Sequence, residues 1–112
     1  MEVKKYIQEN EARFMDELFS LIRIPSISAL PQHKDDMLAC AERWKELLLE
    51  AGADKAEVMP SAGNPLVYAE KHVSDDAPTV LIYAHYDVMP AEPLELWKSN
   101  PFEPEIRDGR IW

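Results

Sequence analysis

Basic residues and cysteine are scarce in this chain, and long apolar runs are missing. Each shortage narrows the function. Lys and Arg number 12 against 21 Asp and Glu, for a net charge of −9. Phosphate backbones are bound by clustered Lys and Arg, so a nucleic-acid partner is not expected. The acidic residues are spread over the helical stretches and loops and read as a solvated surface. Cys40 is the single cysteine, which excludes an intrachain disulfide. It lies between Ala39 and Ala41 in a helical pattern, the setting of a small buried residue rather than a nucleophile. One unpaired cysteine fits a reducing compartment. No apolar run approaches the roughly 18 residues of a membrane span, and the polar start Met-Glu-Val-Lys-Lys-Tyr6 is not a signal peptide. A cytoplasmic protein without a membrane partner is the expectation. What is there, 112 residues of which 46% are apolar, suffices for one domain with a small core.

Val3, Ile7, Phe14, Leu18, Leu21 and Ile22 recur at near-helical spacing and predict a helix from about Val3 to Arg23. Asn10 falls where an apolar residue is due, so its first turns should pack loosely. Ile24-Pro25 ends the helix, because a residue before proline is pushed out of the helical region. Ser26 to Pro31 reads as a plain connection carrying two hydroxyls. Met37, Ala41, Trp44, Leu48 and Ala51 mark a second helix over about Lys34–Ala51, with Leu38 and Leu47 widening the stripe and Trp44 in the core. Asp35 and Asp36 suit its N-terminal dipole, and Gly52 its C-terminal cap. His33 precedes the helix as an exposed or capping residue.

Short strands follow at Ala56–Met59 and Leu66–Lys71, separated by the turn residues Ser61-Ala-Gly-Asn-Pro65. After a further turn at Ser74–Pro78, the apolar run Val80–Ala84 predicts a strand over Thr79–Ala84 buried on both faces. Beyond it Pro90, Pro93, Pro101 and Pro104 stiffen the path, with Trp97 and Phe102 as anchors. Asp108-Gly109 predicts a hairpin over 105–112, its second arm cut at Trp112. The fold class is therefore α/β: two N-terminal helices packed on a β-sheet.

The strand at Thr79–Ala84 delivers His85 and Asp87 at its C-terminal end. Three readings are open for this pair. Both residues can be structural, the imidazole hydrogen-bonded and Asp87 capping the turn. They can form an acid–base pair. Or His85 can bind a metal, with Asp87 accepting its other N–H and so fixing the tautomer.

The surrounding residues carry a resemblance. His85-x-Asp87-Val88, Pro90-Ala91, Trp97, Pro101-Phe102 and Asp108-Gly109 after an apolar strand resemble the first metal-site motif of the M20 zinc metallopeptidases, and most of all their dipeptidase branch. Upstream, Arg23-Ile-Pro-Ser-Ile-Ser28, Ala51-Gly52-Ala53 and Gly63-Asn64-Pro65 are similar too, so nearly all of the chain is covered. The resemblance implies a hydrolase with two zinc ions acting on a dipeptide or N-acyl amino acid. It implies that His85 is a metal ligand and that Asp87, on the catalytic side, is the carboxylate orienting it. The bridging Asp, the general-base Glu and the remaining ligands of the family fall beyond Trp112, as does its smaller lid or dimerisation domain. Residues 1–112 are thus expected to be the N-terminal portion of a catalytic domain, inactive alone and prone to self-association through an exposed apolar edge. The competing expectation is a non-catalytic module that keeps the α/β scaffold for binding or assembly.

Overall fold

The computed structural model describes residues 2–112. They form two compact units, one from Pro25–Pro90 and one from Ala91–Trp112 with the residues up to Ile24. The core of buried side chains, Ile27, Met37, Cys40, Ala41 and Leu47, belongs to the Pro25–Pro90 unit.

In that unit the helix α3, Lys34–Glu50, packs on an antiparallel pair, β1 (Lys55–Met59) and β2 (Leu66–Glu70). The pair is in register Ala56↔Ala69 and Val58↔Val67. These four residues are the half-buried positions of the two strands, so the alternation read from β2 has Val67 and Ala69 inward and Leu66, Tyr68 and Glu70 outward. Asp54 closes the end of the pair. Its carboxylate accepts from Lys71 Nζ at 2.7 Å and from the His72 backbone N–H at 2.8 Å. On α3 the buried line is Met37, Cys40, Ala41 and Leu47. Trp44 is half-buried rather than core, and Leu38 is 46% exposed, because the stripe turns toward Cys40 rather than toward Leu38. Gly52 ends α3 as expected. Its φ is +100°, its N–H donates to Leu49 O, and the Ala53 N–H donates to Leu48 O, each at 3.0 Å. That is a Schellman closure, and it requires a left-handed residue at Gly52.

In the other unit the expected single N-terminal helix is two, α1 (Val3–Glu9) and α2 (Glu11–Ile22). Asn10 breaks it. Its ψ is 8°, and its side-chain amide donates to Tyr6 O at 2.9 Å, occupying a carbonyl of the preceding turn. Short polar side chains compete with the helix ladder in this way. At the other end of the chain, β3 (Ile106–Arg107) and β4 (Arg110–Ile111) form the hairpin read from Asp108-Gly109. Both turn residues have positive φ, +51° and +70°, as a tight two-residue turn demands. Trp112 and Glu105 exchange backbone hydrogen bonds, so the second arm pairs through Trp112. Trp97 anchors its segment by donating from Nε1 to Ala91 O at 2.9 Å.

The strand expected over Thr79–Ala84 is not formed. Val80, Leu81, Ile82 and Tyr83 are 77–91% exposed, and no strand among the described residues pairs with them. A strand is defined by the neighbour that takes its backbone hydrogen bonds, and apolar composition supplies only the tendency.

Cys40 is 2% exposed, and burial pushes its thiol up, with a hydrogen bond involving Ser26 acting the other way. The thiolate is the reactive form. Cys40 should therefore react with Ellman's reagent slowly in the native chain and fast in denaturant. Equal rates in both would show that the helix α3 face is open.

Candidate functional site

His85 and Asp87 leave the unpaired run and are fixed by the connection after α2, not by a sheet. The Ser26 backbone carbonyl accepts from the Val88 N–H at 2.9 Å, and the Ser26 hydroxyl donates to the Tyr86 carbonyl at 2.9 Å. Ile27 and Val88 form an isolated parallel bridge. Ser26 and Ile27 are 1% and 5% exposed, so their side of these contacts lies away from water. A buried hydroxyl and carbonyl left unpaired there would each cost about 1–3 kcal/mol, which makes the pairing hard to break locally. The Tyr86 hydroxyl donates to Pro65 O and ties the same segment to the turn before β2. Burial pushes the Tyr86 phenol up.

Between the clamped residues the side chains of His85 and Asp87 meet. His85 Nδ1 lies 3.0 Å from Asp87 Oδ1 and 3.2 Å from the Asp87 carbonyl oxygen. Both neighbours can only accept, so in the neutral imidazole Nδ1 carries the proton and Nε2 the lone pair. No hydrogen bond reaches Nε2 from the described residues, and the imidazole is 76% exposed. The second oxygen of Asp87 is taken as well: the Ser28 hydroxyl donates to Oδ2 at 2.5 Å. Asp87 is held below the usual carboxylate range, first by Ser28 and then by His85.

This arrangement fits one ligand of a metal, an exposed imidazole with a free Nε2 and a carboxylate behind it. Among the described residues no group of three or more His, Cys, Asp or Glu gathers to complete a coordination shell. His33 and His72 are each engaged with a neighbouring aspartate, Asp36 at 2.7 Å and Asp75 at 3.2 Å. His85 and Asp87 stand out in the sequence, whereas Ser26 and Ser28 have there the composition of a plain connection. The signal that was there is two hydroxyls, spaced by one residue, after a helix stopped by proline.

Known proteins agree with the motif. No family model matches the sequence. A cysteinylglycine-S-conjugate dipeptidase of Corynebacterium striatum is 35% identical over 101 residues, which is 90% of this chain and 22% of that protein. Succinyl-diaminopimelate desuccinylases are similar over a shorter stretch, that of Thiobacillus denitrificans being 50% identical over 36 residues, 32% of this chain and 9% of that protein. In fold, the chain matches the di-peptidase Dug1p of Saccharomyces cerevisiae with a TM-score of 0.81, at 24% identity, over 92% of this chain and 24% of that one. These relatives are M20 metallopeptidases, and the chain is similar to one of them over most of its own length. It spans less than a quarter of the length of the relatives named here. The α/β class read from the sequence is borne out, as helices with small antiparallel sheets. No helix among the described residues is long and apolar enough to cross a membrane.

The Asp87 carboxyl should titrate below the ordinary value of about 3.9. Its folded value is depressed, so the stabilisation it gives is complete above that ordinary value and is lost as pH falls through the lowered one. A titration of its carboxyl carbon by NMR reads this directly. A midpoint at or above the ordinary value would contradict the contacts with Ser28 and His85.

Proposed function

We propose that residues 1–112 contribute the N-terminal part of the catalytic domain of a zinc-dependent dipeptidase acting in the cytoplasm. The substrate is a dipeptide or a related N-acyl amino acid. The observation that carries this reading is the His85–Asp87 pair with Nε2 free, within a chain similar to a dipeptidase over 90% of its length. Two relatives named for different amide substrates, the dipeptidase and the desuccinylase, support hydrolysis of an amide bond as the shared reaction.

His85 would hold one zinc through Nε2. Asp87 accepts the Nδ1 proton, which raises the basicity of the other nitrogen and fixes the ring plane. A pair of zinc ions supplies an activated water and polarises the scissile carbonyl. Asp87 acts through His85 and leaves the substrate untouched. A catalytic zinc takes about three protein ligands and one open position. Residues 1–112 provide one good candidate, and on that ground they should cleave no peptide unaided.

Zinc added to the chain should shift the His85 Nε2 resonance and should leave His33 and His72 less affected. His85→Ala should abolish the most sensitive response. A zinc response unchanged in His85→Ala would overturn the ligand assignment. Dipeptide cleavage by the purified chain in excess zinc would overturn its inactivity alone, and binding of a dipeptide without turnover in any longer form would favour a non-catalytic module.

The exposed run Val80–Tyr83 has no charged residue and high β-propensity, which supports self-association of the isolated chain. Light scattering should show mass rising with concentration, and Leu81→Lys with Ile82→Lys should suppress it. A monomer at all concentrations would remove the homo-oligomer from the proposal.

A further inference from the structure

The metal-ligand role of His85 leaves one contact unused, the Ser28 hydroxyl on Asp87. We infer that Ser28 is a positioning residue. It fixes the Asp87 carboxylate in the plane that receives the His85 Nδ1 proton, and so selects the tautomer with its lone pair on Nε2. The inference rests on the reading of His85 as a ligand for its purpose, but its geometry stands alone.

The Asp87 side chain is 42% exposed, and the imidazole beside it is 76% exposed. Neither is held by packing. An aspartate touching one partner still swings about its Cα–Cβ bond, carrying the acceptor away from Nδ1. A second contact on the other oxygen defines the carboxylate plane. Ser28 supplies that contact at 2.5 Å on Oδ2, while His85 occupies Oδ1 at 3.0 Å.

A positioning group must itself stand on a fixed base, and Ser28 does. The two residues before it, Ser26 and Ile27, are buried, and both are paired to the 86–88 segment. Leu30 N–H donates to Ile27 O at 3.3 Å and closes the turn around Ser28. The donor and the carboxylate are thus mounted on two strips of backbone hydrogen-bonded to each other. The side chain must also be short and must donate. Threonine keeps both properties. Alanine removes the donor, and then only the backbone carbonyl at 3.2 Å remains as a fixed acceptor for Nδ1.

The test is the tautomer of His85, read from its ring-nitrogen shifts in the chain as it is. The measurement is made at mildly alkaline pH, where free imidazole is neutral. In the unsubstituted chain the Nδ1–H form should dominate. In Ser28→Ala the ratio of the Nδ1–H to the Nε2–H form should fall about fivefold, the worth of one ordinary hydrogen bond. Ser28→Thr should restore it, which a loss of local packing would not explain. A tautomer ratio unchanged in Ser28→Ala, or lost equally in Ser28→Thr, overturns the inference. If Ser28→Ala unfolds the chain, the Ser28→Thr ratio decides: a preserved Nδ1–H form supports the role and a lost one ends it. The zinc response of His85 is a separate reading. Its absence, with the tautomer change present, would end the metal assignment and leave Ser28 in place.

Discussion

The pairing of Ser26 with the 86–88 segment is the contact on which the candidate site depends. One residue supplies both halves, a backbone carbonyl to the Val88 N–H and a hydroxyl to the Tyr86 carbonyl. Because Ser26 is 1% exposed, water cannot replace either bond without opening the core around Ile27 and Cys40. A side chain two residues from a clamp has little backbone freedom left. His85 and Asp87 flank Tyr86, so the clamp fixes the backbone on which they stand, while the plane of the Asp87 carboxylate is left to the Ser28 hydroxyl. The backbone order of the candidate site follows from a buried serine whose hydrogen bonds go to the Tyr86 and Val88 backbone rather than to the His85 or Asp87 side chain.

Much of this fold is legible in the sequence where the signal is local. The left-handed cap at Gly52 and the hairpin at Asp108-Gly109 follow from residues that accept positive φ, while spacing places Met37, Ala41 and Leu47 on the buried face but also Trp44 and Leu48, which are half-buried, and Ala51, which is exposed. The break at Asn10 was marked by an apolar position left unfilled, but its outcome as two helices depends on a side-chain bond to Tyr6 O that composition does not announce. The site divides the same way. His85-x-Asp87 is visible because its chemistry is carried by two residues close in sequence. Ser26 and Ser28 are not, because their partners are some sixty positions away, at separations of 60 and 59. Serine after a proline is ordinary loop composition, and only the fold reveals what its hydroxyl reaches.

The run Val80–Tyr83 marks where composition misleads most. Four consecutive apolar residues express a preference for burial but name no neighbour. Fully covering side chains of this kind is worth about 1.5–3 kcal/mol each, so the run as a whole represents on the order of 6–12 kcal/mol. That is the size of the entire stability of a small domain. Left exposed, it exerts a strong drive toward any sheet edge or apolar surface that offers cover. The reading of His85 as a side chain presented by a buried strand made the site depend on that cover.

The structure separates the two. His85 and Asp87 keep their 3.0 Å contact although the residues before them are 77–91% exposed. The contacts that hold them come from the far side, through Val88, Tyr86 and the Ser26–Ser28 loop. A histidine–aspartate pair oriented in this way does not need a strand partner for the run beside it. Covering the run would then add stability and exclude water without having to build the imidazole–carboxylate pair. A side chain already aimed loses less entropy on meeting a partner than one immobilised at the same moment. The hydroxyl of Ser28 belongs to the contacts that hold the pair, and the apolar run does not.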